Sequence, residues 1–175
     1  MLKLVKDKDN HLATGVLGNR AIFRVLADYG YADLAYEMIT RPDFPSFGYW
    51  ITRGATTLWE NFFMIDDYPV DSLNHHFWGD FSAWFYTYLA GIKINPSGND
   101  VNEVNISPCF VEKLGYVKAK HILPAGEIEV EWKRIDDEIE LNLKVPQGVY
   151  GIIDIPKGYM LSDRNNQSRI STGTY

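Results

Sequence analysis

Apolar residues fall at helical spacing between Gly18 and Tyr29, where Ala21, Ile22, Val25, Leu26 and Tyr29 share a face and Gly30 stands where a left-handed C-terminal cap is wanted. A second helix is predicted over Ala32–Thr40, with Leu34, Ala35, Met38 and Ile39 buried and Pro42 closing it, so the two should form a hairpin. From Asp43 to Arg53 the periodicity fails. Pro45 and Gly48 predict a loop, crowded with Phe44, Phe47, Tyr49 and Trp50. A short helix is expected from about Thr57, then an irregular stretch through Ser72–Gly79. Asp80–Ala90 is apolar almost all round and predicts a helix buried on most sides.

Beyond Gly91 the period changes from helical to alternating. Val104 and Ile106, then Val117, Ala119 and His121, then Ile128, Val130 and Trp132, then Ile139, Leu141, Leu143 and Val145 each alternate with polar neighbours, and a last strand is expected over Val149–Ile155. Helices first and a sheet second make an α+β chain in two segments. The expected boundaries are a helical domain at 1–92, an antiparallel β-sandwich at 93–162 and a loose polar tail at 163–175, with 95–100 as connector.

Composition narrows the function classes. With 17 basic and 23 acidic residues and net charge -6, the chain has no basic patch for a phosphate backbone, so nucleic acid is not an expected partner. No stretch approaches the ~20 apolar residues of a membrane span, and residues 1–9 lack the apolar run of a signal peptide, so a soluble, cytoplasmic protein is expected. The single cysteine, Cys109, excludes an internal disulfide and a cysteine-based metal site. Aromatics reach 14% of the chain, which suits a dense aromatic core or a site for the C–H faces of sugar rings.

The chemistry centres on Gly54-Ala55-Thr56-Thr57-Leu58-Trp59-Glu60. Thr57 and Glu60 fit a capping box, in which Glu60 would only return a bond to a helix start. Trp59 and the aromatic loop upstream would equally make a partly desolvated setting for a general acid or base. His75 and His76 are adjacent and point apart in an extended segment, so no metal site is expected there, and no cofactor either. One of them could be a structural histidine or a donor to a substrate hydroxyl. Asp66 and Asp67 look like solvated loop charges, and Asp80 suits a helix N-cap.

Six strings then occur in order: His11 to Gly18, Gly30 to Tyr36, Pro45 to Trp50, Gly54 to Glu60, Ser72 to His75 and Ser82 to Tyr86. Together they resemble the bacterial α-L-rhamnosidases of glycoside hydrolase family 78, and Val130-Glu131-Trp132-Lys133-Arg134 with Val145-Pro146 is similar to the β-sandwich that follows the catalytic domain in that family. The resemblance implies the all-α C-terminal part of an (α/α)6 barrel followed by a small sandwich, and inverting hydrolysis of terminal α-L-rhamnosyl residues in glycosides or polysaccharides. It implies that Glu60 is the general base, with His75 at the sugar and Trp50, Trp59 and Trp78 as candidate aromatic walls. Inversion needs two carboxyl groups ~6.5–9.5 Å apart. The family's general acid belongs to an upstream half without a counterpart here, so the chain is expected to be inactive alone and to require the missing half or to self-associate. The alternative is a sugar-binding or oligomerisation module without catalysis.

Overall fold

The computed structural model describes residues 1–94, 98, 100–162, 167–170 and 173–174. They divide into two compact units, Met1–Trp84 and Phe85–Tyr175. The division falls ahead of the expected boundary after residue 92. It does so because Phe85–Leu89, a π-helical turn, is bonded into the second unit: Trp132 Nε1 donates to Leu89 O at 2.7 Å, and the Cys109 amide to Tyr88 O at 2.7 Å.

In the first unit, α1 (Leu2–Lys6) precedes α2 (Val16–Asp28) and α3 (Ala32–Thr40), which pack as the expected hairpin. α2 ends in a Schellman motif: Tyr31 N–H reaches Leu26 O at 2.8 Å and Gly30 N–H reaches Ala27 O at 3.0 Å, with Gly30 at φ +82°. Phe23 and Leu26 of α2 meet Ala35, Met38 and Ile39 of α3, all buried.

The expected loop at Asp43–Arg53 is corrected. Phe47–Thr52 forms α4, capped by Ser46, whose Oγ accepts from Tyr49 N–H at 2.9 Å. Pro45 precedes the cap and so interrupts nothing. Gly48 is inside the helix because a Cβ there would lie 2.3 Å from Arg41 O and 2.5 Å from Thr40 O; it allows α4 to cross the end of α3. The chain continues through a hairpin of β1 (Met64–Ile65) and β2 (Tyr68–Pro69) to α5 (Asp80–Trp84). Asp80 holds its helix start to α2, taking bonds from Arg24 Nε at 3.1 Å and Nη2 at 3.0 Å.

The second unit is a sandwich of two four-stranded sheets. One orders β10 (Gly173–Thr174), β7 (Glu138–Val145), β6 (Gly126–Ile135) and β5 (Tyr116–Leu123). The other orders β3 (Ile92–Ile94), β4 (Val104–Ile106), β8 (Gly151–Asp154) and β9 (Gln167–Ile170). Most alternating positions read from the sequence face the core, with Ile128, Val130 and Trp132 of β6 and Val104 and Ile106 of β4 fully buried, whereas His121 is exposed. The sheets are not wholly antiparallel, since β4 pairs with β8 in parallel through Ile106 and Ile153. The loose tail is also corrected in its described parts. Gln167–Ile170 pairs with β8 and Gly173–Thr174 with β7, covering two strand edges by backbone bonds that leave no mark in side-chain periodicity. Positions 163–166, 171–172 and 175, and 95–97 and 99 of the expected connector, lie outside the described residues.

Candidate active-site carboxylate

Glu60 is held by tertiary bonds, and the capping box is absent. No helix begins at Thr57; residues 55–61 run irregularly alongside 71–75. Glu60 N–H donates to Ser72 O at 2.8 Å and His75 N–H to Leu58 O at 2.7 Å. The Thr57 hydroxyl, the intended cap, donates to Leu73 O, and Asn61 Nδ2 donates to the Asp71 carboxylate. These four bonds tie the two segments together at both ends.

Within this clamp the Glu60 side chain is 40% exposed, and its Oε2 accepts the Ser72 backbone N–H at 3.1 Å. His75 Nδ1 lies 3.7 Å from the same oxygen, near it though beyond hydrogen-bonding reach. Among the described residues, Oε1 takes no hydrogen bond. One carboxylate oxygen is thus fixed by the main chain while the other is free for a ligand or water.

The tryptophans expected as sugar walls are instead buried, with Trp50 2%, Trp59 6% and Trp78 5% exposed. Two of them bond the carboxylate's own segment: Trp78 Nε1 donates to Glu60 O and Trp50 Nε1 to Asn61 O, each at 3.0 Å. They belong to an aromatic core around Phe47, which stacks on Phe81 at 4.5 Å, while Trp50 stacks on Phe62 at 4.4 Å. Trp50 also lines a hollow of about 280 Å³ with Ile51 and Leu58, and neither Glu60 nor His75 lines it. Within this chain all three indoles are buried, and Trp50 and Trp78 bond the Glu60 segment through its backbone. Much of the aromatic surplus is therefore core.

The other candidates separate cleanly. Asp66 and Asp67 are the two turn residues of the β1–β2 hairpin, at φ 50° and 63°, where aspartate tolerates the left-handed region. His76 opens a 3-10 turn, His76–Trp78, and its ring and that of His75 both lie against Phe77, at 4.4 Å and 5.1 Å; among the described residues no three His, Cys, Asp or Glu side chains cluster as a metal site. Ser72, Asn61 and Asp71 were not singled out by their chemistry in the sequence. Ser72 acts through its amide, which every residue but proline has, and only its place in the string Ser72–His75 pointed to it.

Away from this site, Arg41 gathers the start of the chain onto the α3–α4 corner. It donates to Asp43 from Nε at 2.9 Å and Nη2 at 2.8 Å and to Asp9 O at 2.8 Å, and His11 Nε2 meets Asp43 at 3.0 Å. The Arg41 bonds, aided by His11, hold the Asp43 carboxyl well below the usual carboxylate range.

Two family models cover almost all of the chain. Residues 1–89 match the bacterial alpha-L-rhamnosidase 6 hairpin glycosidase domain, and residues 91–168 match the bacterial alpha-L-rhamnosidase C-terminal domain. An alpha-L-rhamnosidase of Alteromonas sp. (strain LOR) is 32% identical over 95% of the chain, and one of Formosa agariphila is 36% identical over 82%. The chain spans only 18% and 15% of those two proteins. Among solved structures, the alpha-L-rhamnosidase from Dictyoglumus thermophilum superposes with a TM-score of 0.85 at 30% identity, over 98% of this chain and 21% of that one. The Streptomyces avermitilis alpha-L-rhamnosidase complexed with L-rhamnose gives 0.87 at 27%, over 99% and 18%. No described helix is long and apolar enough to cross a membrane.

Proposed function

The chain belongs to the bacterial α-L-rhamnosidase family, and from that membership we propose that its helical part supplies Glu60 as the general base of an inverting glycosidase acting on terminal α-L-rhamnosyl residues. The observation that carries this is the state of the Glu60 carboxylate: Oε2 tied by the Ser72 amide, Oε1 free, on a segment bonded to two buried indoles. A base must accept a proton along a defined direction, and a carboxylate anchored at one oxygen is aimed at the other. In the reaction, Oε1 takes a proton from water as the water oxygen bonds to the anomeric carbon. The glycosidic bond breaks, and its oxygen receives a proton from a general acid. That acid comes from outside this chain, which spans between 15% and 21% of the relatives named above. His75, which lies beside Oε2 and is 21% exposed, donates to a sugar hydroxyl in this reading.

The substrate is accordingly a rhamnose-containing glycoside or polysaccharide, and the chain alone is inactive. The test is a rhamnosidase assay of the chain alone and after mixing with the remaining six-hairpin segment of a relative. Activity is expected only in the mixture, and Glu60→Gln in the mixture should lower turnover by a factor of at least ~100 with rhamnose affinity retained. Full activity of the isolated chain, or ordinary turnover by E60Q, overturns the proposal.

A non-catalytic, self-associating module is the second reading, favoured by a specific surface. A groove of about 580 Å³ between α1 and α2 is lined by Met1, Leu4, Val5, Ala21, Ile22 and Val25, and Leu4 is 70% exposed. Apolar surface of this kind is covered in a stable assembly.

A further inference from the structure

We propose that the β-sandwich carries a second saccharide-binding cleft, centred on Tyr159 and independent of Glu60. Where the β6–β7 turn meets the segment after β8, a cleft of about 520 Å³ opens. That size lies within the ~300–1,000 Å³ of small-molecule sites. Its lining mixes apolar residues, among them Phe110, Ile139 and Leu141, with the polar groups of Asp137, Glu138, Tyr159 and Ser162.

Tyr159 is built into place. Its ring meets Phe110 edge-on at 5.0 Å, its amide closes a turn onto Pro156 O at 3.1 Å, and its hydroxyl oxygen accepts from Arg134 Nη1 at 3.4 Å. Arg134 is itself fixed by Phe110 O at 3.1 Å and Val111 O at 3.4 Å, and has no carboxylate partner among the described residues. A hydroxyl that accepts from a guanidinium must donate its own proton elsewhere. Among the described residues nothing receives it. Asp137 and Glu138 supply the opposite function, two exposed carboxylates that take no side-chain hydrogen bond or ion pair from the described residues.

An aromatic ring, one oriented donor, two free acceptors and an apolar wall complement a neutral pyranose. Its C–H face stacks on the ring, and adjacent hydroxyls give one proton to a carboxylate and receive one from Tyr159. An acidic sugar is disfavoured by Asp137 and Glu138. A 6-deoxy sugar, whose methyl group can lie against Ile139 and Leu141, suits this mixed lining.

The test is a titration of the 175-residue chain with methyl α-L-rhamnopyranoside, followed by amide NMR. Saturable shifts are expected at Glu138, Tyr159 and Met160. Tyr159→Phe, which keeps the ring and removes the donor, should weaken binding about tenfold. Glu138→Gln should also weaken it, and Glu60→Gln should leave it unchanged. An unaltered amide spectrum elsewhere reports that each variant is folded. The proposal falls if these amides do not respond, if both cleft variants bind as the parent does, or if binding declines steeply with salt, which marks a charged ligand. Shifts confined to Glu60 and His75 would remove this cleft and leave the Glu60 proposal standing.

Discussion

At the residue scale, Glu60 shows how a local motif yields to a tertiary contact. Thr57 and Glu60 have capping-box spacing, but a box requires a helix to begin there, and residues 55–61 instead spend their hydrogen bonds on 71–75. The carboxylate still accepts a backbone N–H, from Ser72 rather than from its own segment. The indoles behave likewise: their bulk marks them as core or sugar platform, and only their placement shows two of them donating to the Glu60 segment. This separates three otherwise equivalent tryptophans. Trp78→Phe leaves Glu60 O, in a part-buried contact, without its donor and should cost ~1–3 kcal/mol. Denaturant unfolding measures that cost, and faster exchange of the Ser72 amide should accompany it. Trp59→Phe should cost less, because among the described residues the Trp59 N–H has no protein acceptor.

At the element scale, periodicity located α2, α3 and β4 to β8 within a few residues, because each buries one face against a neighbour and so repeats apolar residues at its own period. It missed α4, since proline and glycine read as breakers until Ser46 is seen to cap after Pro45 and Gly48 to face Arg41 O. Gly48→Ala puts a methyl group into two backbone carbonyls that no side-chain rotation can relieve, and should destabilise the first unit by ~1–3 kcal/mol in thermal or denaturant unfolding. The corner that α4 follows is also pH-sensitive. The Asp43 carboxyl is depressed by Arg41 and His11, so its contribution is complete above the unfolded value of ~3.9 and fades as pH falls from there toward the lower folded value. Protection of the Leu12 amide, bonded to Pro45 O, measured against its intrinsic exchange rate at each pH, should therefore fall on acidification below ~4 in the parent. In Asp43→Asn that acid-side change should be much reduced, and added salt should blunt it in the parent because the pair is exposed.

At the scale of the whole molecule, the two units differ in how they bury their surface. The sandwich closes on its own core of Val104, Ile106, Ile128, Val130 and Trp132. The helical unit has an internal aromatic core yet leaves the α1–α2 groove open to solvent. If copies of the chain cover this groove, Leu4→Glu should reduce the mass measured by sedimentation or light scattering without loss of helical circular dichroism. A parent that is already monomeric across the accessible concentration range would rule out the self-associating reading.

The sequence by itself determined the order of helices and strands, most of the core positions and the family. These depend on side-chain period and on ordered strings, which survive without coordinates. Tertiary structure alone decided what the named side chains do. It bonded Trp50 and Trp78 to the Glu60 segment, gave Oε2 to the Ser72 amide and left Oε1 without a hydrogen bond among the described residues, paired 167–170 with β8 and 173–174 with β7, and brought Arg134 to the hydroxyl of Tyr159. The physical reason is that these are hydrogen bonds between residues distant in sequence, many of them to backbone atoms. A backbone amide or carbonyl carries no residue identity, so no pattern of residue types could have announced which of them would be met.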